Sequence, residues 1–407
     1  MRLSRRALLG TAAALPAAAA IRQARAQRPV IKIGVLTDLS GVYQDIVGPL
    51  AVESTRLAVS DFGVADKGFD VEVLIGDHQN RPDVGSNLVR QWYDRDGVDI
   101  VVEGGSSAVA LAVAGVAKDK NKAYINSGGA TSDLTGAACN ANTLHWTYDT
   151  YMLAKSTGAA MVKAGGDRWF FITADYAFGH ALSRDVGNFV TQAGGRVLGG
   201  VRTPFPGTTD FSSYLLQAQA SGAKVIGLAN AGADTTNCIK QAKEFGIKTP
   251  LAGLLMFISD IHSLGLETCQ GLFLTESFYW DLNDRTRAFS ERLWRRMPNR
   301  RPGMANAGPY SSTLHFLKAV HAMGPAEAKK SGAAIIAQMK RMPTDDDVHG
   351  QGIIREDGRK LHPAYLFQVK KPSESKRPWD YYNLIGTTPA DEAFRPMKDG
   401  NCPLVKT

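Results

Sequence analysis

Residues 98–136, VDIVVEGGSSAVALAVAGVAKDKNKAYINSGGATSDLTG, read as strand, tight turn, helix, strand and turn. Asp99 to Val102 is an apolar run of strand length. Gly104-Gly105 reverses the chain, and Ser106 or Ser107 falls where a helix N-cap belongs. Ala108 to Ala117 is small and apolar enough to lie close against a sheet. Ala123 to Ile125 begins a second strand, followed by a turn rich in hydroxyls and glycine, Asn126 to Ser132. In a parallel sheet both turns lie at the carboxyl ends of adjacent strands, where such sheets hold ligands. The helix start offers unpaired N–H groups, a partial positive charge and serine hydroxyls, a set suited to a carboxylate.

Outward from this stretch the same alternation continues. Strands are expected at Val30–Leu36 and Val71–Ile75, with helices at Gly48–Phe62 and Pro82–Asp94. The alternation then restarts: helix Thr150–Ala164, strand Arg168–Thr173, a turn over Ala174–His180, helix Ala181–Ala193 and strand Arg196–Thr203. Helix Ser212–Ala220, strand Lys224–Leu228, helix Thr235–Phe245, and strands Pro250–Leu254 and Leu272–Phe278 follow. Strand–helix alternation of this kind builds doubly wound parallel sheets. The restart predicts two similar α/β lobes. Helices are expected at Arg285–Arg296, Tyr310–Ala322 and Ala326–Met342, then late strands at Gly352–Arg355, Ala364–Lys370 and Tyr381–Gly386, which must return to one or both lobes.

Met1 to Ala26 reads as an export signal. Arg2, Arg5 and Arg6 precede an apolar run too short to span a membrane, and Ala24-Arg25-Ala26 is a cleavage pattern. Ser4-Arg5-Arg6-Ala7-Leu8-Leu9 is of twin-arginine type, so cleavage after Ala26 and folded export to the periplasm are expected. Loss of Arg2, Arg5, Arg6, Arg22 and Arg25 lowers the formal charge from +8 to +3. A nucleic-acid partner is therefore not expected. The remaining basic cluster, Arg292, Arg295, Arg296, Arg300 and Arg301, reads as a solvated helix end. The four cysteines show no metal-ligand spacing, and three disulfide connectivities are open. Position favours Cys139 with Cys402, pinning the tail, and Cys238 with Cys269, near strand ends of one α/β unit. Four free buried thiols are the alternative.

No nucleophile elbow, phosphate loop, dinucleotide fingerprint or paired-histidine metal motif occurs, so neither an enzyme nor a cofactor is expected. His78, His145 and His180 fall beside predicted turns and read as surface or supporting groups.

Taken together, IKIGVLTDLSGVY, GGSSAVA, SGGATSDLTG, DYAFGHAL and NAGPYSS, in this order, resemble the solute-binding proteins of branched-chain amino acid type ABC transporters. The resemblance covers residues 28–407. It implies the type I periplasmic binding protein fold, α/β with two doubly wound parallel-sheet lobes joined by a three-crossing hinge. It places lobe 1 at 28–148 plus 277–350 and lobe 2 at 149–276 plus the tail, 351–407. It also implies a membrane permease as partner, a monomeric chain and a ligand between the lobes. By the same resemblance, Ser106 and Ser107 in the first turn, and Ser127, Gly128, Gly129 and Ala130 in the second, would hold the ligand carboxylate. Phe178 and Tyr176 would cover it from lobe 2, with Tyr310 and Tyr43 as further candidates.

One departure bears on the ligand. Members that bind α-amino acids need a lobe 2 acid for the ammonium group, because a buried unpaired charge is costly. Here Leu251–Ile258 carries no carboxylate before Asp260, and Asn230–Ala233 none before Asp234. Trp146, Tyr148, Phe178, Phe257 and Phe278 supply aromatic surface instead. A small carboxylate without an ammonium group is therefore expected, in particular an aromatic acid such as a benzoate or cinnamate. The rivals are a branched-chain amino acid, which needs Asp234 or Asp260 in the cleft, and a ligand-sensing module that regulates a partner protein.

Overall fold

The computed structural model describes residues 28–406; the expected signal segment, 1–26, lies outside them. The first lobe is built on strands β1 (Val30–Thr37), β2 (Asp70–Asp77), β3 (Ile100–Glu103), β4 (Ala123–Asn126) and β5 (Thr143–His145), all parallel, in the order β2-β1-β3-β4-β5. Between them run helices α1 (Gly48–Phe62), α2 (Pro82–Gln91) and α3 (Ser107–Lys120). Side chains alternate faces along each strand. Ile33 and Val35 of β1 with Ile100 and Val102 of β3 enter one core, and Leu36 and Val101 enter the other. Pro49 starts α1, and Gly63, at φ 67°, ends it in the left-handed conformation that glycine adopts without strain.

The second lobe repeats the plan. Helices α4 (Thr150–Leu153) and α5 (Ala159–Lys163), with a wider helical turn between them, lead to β6 (Arg168–Ala174), α6 (Ala177–Gln192) and β7 (Arg196–Thr203). Then come α7 (Ser212–Ala220), β8 (Val225–Ala229), α8 (Ala233–Glu244) and β9 (Leu251–Gly253). Its strands are parallel in the order β7-β6-β8-β9. Helices α9 (Ile258–Leu264) and α10 (Leu266–Cys269) follow, then β10 (Phe273–Glu276). In both sheets the winding reverses direction beside the first strand, which leaves a crevice at the carboxyl ends of β1 and β3, and of β6 and β8.

Helices α11 (Asp284–Arg296), α12 (Met304–Met323), α13 (Pro325–Ala328) and α14 (Gly332–Arg341) return to the first lobe, α11 and α12 against α1 and α14 against β4. Strands β11 (Ala364–Val369) and β12 (Tyr382–Thr388) join β10 in an antiparallel sheet beside β9, before a short α15 (Ala390–Ala393). The chain thus passes between lobes three times, after β5, after β10 and before β11. Arg359, on the third passage, is fully buried and donates to the Thr147 carbonyl and to Asp149 (3.4 Å) on the first.

Several expectations are corrected here. The helix expected over Ala326–Met342 breaks in two because the Ser331 hydroxyl caps a new start, accepting from Ala334 N–H. Gly352–Arg355 is no strand; Gly352 and Ile354 make only isolated bridges, to Thr344 and Lys360. The 351–407 tail, expected wholly in lobe 2, is shared: Arg359 bridges to His145, and a Cys139–Cys402 disulfide ties the chain end to lobe 1. The expected Cys238–Cys269 bridge does not form. Both are free buried thiols on separate helices, and the Asn230 amide occupies the Cys238 sulfur at 3.6 Å. Four of the five clustered arginines are matched by acids rather than merely solvated: Arg292 by Asp61 and Asp347, Arg296 by Glu53, Arg300 by Asp45 and Arg301 by Glu291.

Candidate ligand-binding cleft

The two crevices face each other across a small pocket. From lobe 1, the Asp38 carboxylate folds the loop after β1 by accepting from Gly41 N–H (2.6 Å) and Tyr43 N–H (2.9 Å). That fold turns Tyr43 into the cleft, where its hydroxyl meets the Tyr176 hydroxyl of lobe 2 at 2.5 Å. The Tyr176 ring stacks on Phe205, with centroids 4.1 Å apart. A second tie between lobes runs from the Ser132 hydroxyl to the Asp185 carboxylate of α6, at 2.8 Å, where Thr150 of the second lobe also donates, at 2.6 Å.

The first serine turn is held from beneath. Glu103, Gly104 and Gly105 all have positive φ, and Glu103 Oε1 accepts from Gly105 N–H at 2.8 Å. The Ser106 hydroxyl is buried without a partner, although Ser106 is the N-cap of α3. The Ser107 hydroxyl accepts from Ala130 and Thr131 N–H, at 3.1 and 3.0 Å, which clamps the second turn to the first and leaves its own hydrogen free to donate. Asn126 shapes that second turn with both ends of its amide against Gly129. Gly128 is obligatory: a Cβ there would lie 2.1 Å from Glu103 Oε1. Tyr148 donates to the Gly128 carbonyl at 2.8 Å and meets Phe257 edge-on at 5.8 Å.

The pocket is lined by Tyr43, Ile46, Gly105, Ser106, Ser107, Gly128, Ala130 and Tyr148 from lobe 1, and by Tyr176, Phe178, Ala231, Leu255 and Phe257 from lobe 2. The cavity between them is about 20 Å³, room for about one water molecule and far below the volume of an occupied ligand site. Ile46 also lines a wider neighbouring chamber that bears Asp45, Asp260, His262, Arg300 and Arg301.

Of the residues expected here, Tyr43, Ser106, Ser107, Gly128, Ala130, Tyr176, Phe178 and Phe257 come together. Ser127 and Gly129 belong to the same turn but face away, Ser127 towards Gly308 of α12 and Gly129 towards Ala110. Tyr310 is elsewhere. Its hydroxyl bonds Asp61 (3.0 Å) and Arg292 (3.2 Å) outside the cleft, because it lies two residues, about 200° of helix, beyond Gly308, which faces Ser127 and Thr147. Trp146 and Phe278 are core residues, against His315 and Phe289 respectively. Ile46, Ala231 and Leu255 are lining residues without a sequence signature of their own; Gly105 sits inside the quoted GGSS turn. Asp234 and Asp260 stay off the pocket wall. Asp260 accepts from Phe257 N–H at 2.9 Å to cap α9, and burial pushes each carboxyl up to about 7. Among the described residues, no cluster of His, Cys, Asp or Glu is placed to hold a metal ion, and no helix is long and apolar enough to cross a membrane.

Two facing α/β lobes around a small, half-open pocket define a cleft-binding protein. A family model described as periplasmic binding protein matches residues 30–376, and the chain belongs to that family, of the type serving branched-chain amino acid ABC transporters. It is similar to a periplasmic binding protein from Burkholderia mallei, 48% identical, TM-score 0.89, covering 93% of this chain and 99% of that one. It is also similar to a branched-chain amino acid ABC transporter periplasmic ligand-binding protein from Burkholderia xenovorans, 37% identical, TM-score 0.81, covering 92% and 99%. A solute-binding protein from R. palustris in complex with benzoate shares the fold at 20% identity, TM-score 0.79, covering 88% and 96%. No curated protein matches the chain. The family binds small molecules for membrane permeases and performs no chemistry on them.

Proposed function

We propose that this chain captures a small monocarboxylate without an ammonium group, of the benzoate or cinnamate kind, and hands it to an ABC permease. The observation that carries the reading is the lining itself. One end offers backbone N–H groups and serine hydroxyls, the other rings and aliphatic side chains, and no carboxylate belongs to it. An ammonium group buried there would lose its hydration without gaining a partner. An aromatic acid leaves no charge unpaired, because its carboxylate lies at the helix start. Ser106, Ser107, Gly128 and Ala130 would hold the carboxylate; Tyr43, Tyr176, Phe178 and Phe257 would enclose the ring.

The proposal includes removal of residues 1–26, residence in the periplasm, a monomeric chain, and lobes of 28–148 with 277–350 and of 149–276. A thermal-shift series with benzoate, 4-hydroxybenzoate, cinnamate, leucine and valine tests it, since a ligand of the native state raises the melting temperature. The aromatic acids are expected to raise it and the amino acids to leave it unchanged. A rise with leucine and none with benzoate or cinnamate would overturn the reading.

A branched-chain amino acid is the second reading, favoured by one observation: Asp234 Oδ2 is buried without a partner at the start of α8. Under that reading Asp234→Asn abolishes the leucine-induced rise.

A further inference from the structure

Beneath the two serine turns sits a carboxyl group to which the proposed capture gives no role. Glu103 is fully buried at the end of β3. Oε1 accepts one hydrogen bond, from Gly105 N–H, and Oε2 has no partner. Gly105 and Gly128, which both line the pocket, lie against it, Gly128 so close that a Cβ would strike Oε1. We infer that Glu103 is a proton-holding floor to the anion end of the cleft, so that a carboxylate binds only while Glu103 carries its proton. This rests on the carboxylate reading above.

The surroundings support it from every side. From β4, the Tyr124 hydroxyl donates to the Glu103 main-chain carbonyl at 2.8 Å, and Asn126 is committed to Gly129. From beyond β5, the Tyr148 hydroxyl is committed to Gly128. From the loop after β2, His78 Nε2 sits against Gly105 and is unpartnered, while its Nδ1 accepts from Asn80 N–H. Burial pushes His78 down to about 4, so it is neutral. No lysine or arginine pairs with Glu103 among the described residues, and burial, offset in part by the hydrogen bond from Gly105 N–H, pushes its carboxyl up to about 8. A ligand carboxylate on the far side of these glycines raises it further, since like charges at short range disfavour each other's ionised forms. Below that pH the floor is neutral and affinity is flat. Above it the ligand-free protein loses the proton, and binding must take one back.

The tests use the whole mature protein and Glu103→Gln, which keeps an oxygen acceptor for Gly105 N–H and cannot ionise. Infrared difference spectra of ligand-free wild type against Glu103→Gln are expected to show a protonated carboxyl band at pH 7 that fades at alkaline pH. An ionised Glu103 at pH 7 overturns the inference whatever the ligand is. Benzoate, which has no group titrating in this range, is the binding probe. Its affinity for wild type is expected to fall towards tenfold per pH unit above pH 8. Calorimetry in buffers of different ionisation enthalpy should show uptake of up to one proton per benzoate there. Glu103→Gln should hold its pH 7 affinity across the range, whereas Asp234→Asn should keep the wild-type fall. The same alkaline fall in Glu103→Gln overturns the inference. If neither benzoate nor cinnamate binds at any pH, the aromatic-acid reading fails, and the infrared arm still decides the state of Glu103.

Discussion

Lobe 1 meets the pocket with the backbone and hydroxyls of two turns clamped to one another by Ser107, beside Tyr43, Ile46 and Tyr148, whereas lobe 2 brings no such turn and meets it with the rings of Tyr176 and Phe178 and with Leu255 and Phe257. The contrast follows from where each group is anchored. N–H groups and hydroxyls at the ends of three adjacent strands can be aimed at one small anionic group but cannot adapt to a large body. Rings carried on lobe 2 present area and little direction. On the proposed reading, lobe 1 would take the head of the ligand, and lobe 2, with Tyr43 of lobe 1, most of its body.

The strongest way to break this division is Gly128→Val. The new side chain collides with Glu103 and Gly105, so benzoate, cinnamate and every other carboxylate that binds should lose at least ~100-fold in affinity by calorimetry, near the size of an overpacking penalty. Equal loss for all carboxylates is the signature of a head-group site; loss confined to one of them would erase the division. Phe257→Ala should cost about tenfold to a hundredfold for cinnamate and benzoate, and much less for a short aliphatic acid such as propionate.

Protonation sharpens the contrast. Glu103 in lobe 1 and Asp234 and Asp260 in lobe 2 all have carboxyls raised by burial, to about 8, 7 and 7. The native state then binds more protons than the unfolded chain, so stability is highest at acid pH and declines as pH rises, until each folded value is passed. Melting temperatures of Glu103→Gln should exceed wild type at pH 8 by more than at pH 5, and the gain should keep growing between pH 7 and 8. For Asp234→Asn the gain should level off near pH 7. The smallest effect expected is that of Tyr43→Phe, which removes the hydroxyl contact to Tyr176 but keeps the ring; affinity for benzoate should drop about threefold to tenfold, the worth of one hydrogen bond.

Much of the scaffold is legible in residue order alone. Gly48–Phe62 carries its own proline start and glycine stop, and Arg196–Thr203 and Ser212–Ala220 are bounded by turn residues, so their limits as read and as folded coincide. The two serine turns are legible because glycine and hydroxyl residues at strand ends have few other uses. Three-residue β5 is too short to carry a period, and α9 and α10 hide in a run that reads as strand followed by loop. Helix α6 starts four residues earlier than expected, at Ala177, inside the expected turn, which puts Phe178 on a helix. Facing is the harder quantity. Tyr310 sits in a motif whose glycine and asparagine approach lobe 1, yet helical rotation carries it to the Asp61–Arg292 side. Likewise, nearness in sequence could not tell that the Cys238 sulfur is turned to an amide rather than to a second sulfur.

Those unpaired thiols have a use of their own. Cys238 lies on α8 and Cys269 on α10, both buried, and burial pushes the Cys269 thiol up to about 12. The remaining cysteines, Cys139 and Cys402, are locked in the disulfide at lobe 1. An alkylating reagent added under native conditions can therefore label the chain only when the second lobe opens far enough to expose a sulfur, and labelling kinetics become a clock for that sub-global opening alone. Followed with and without ligand, the same clock tells whether occupancy of the cleft steadies a lobe whose thiols lie outside the pocket lining.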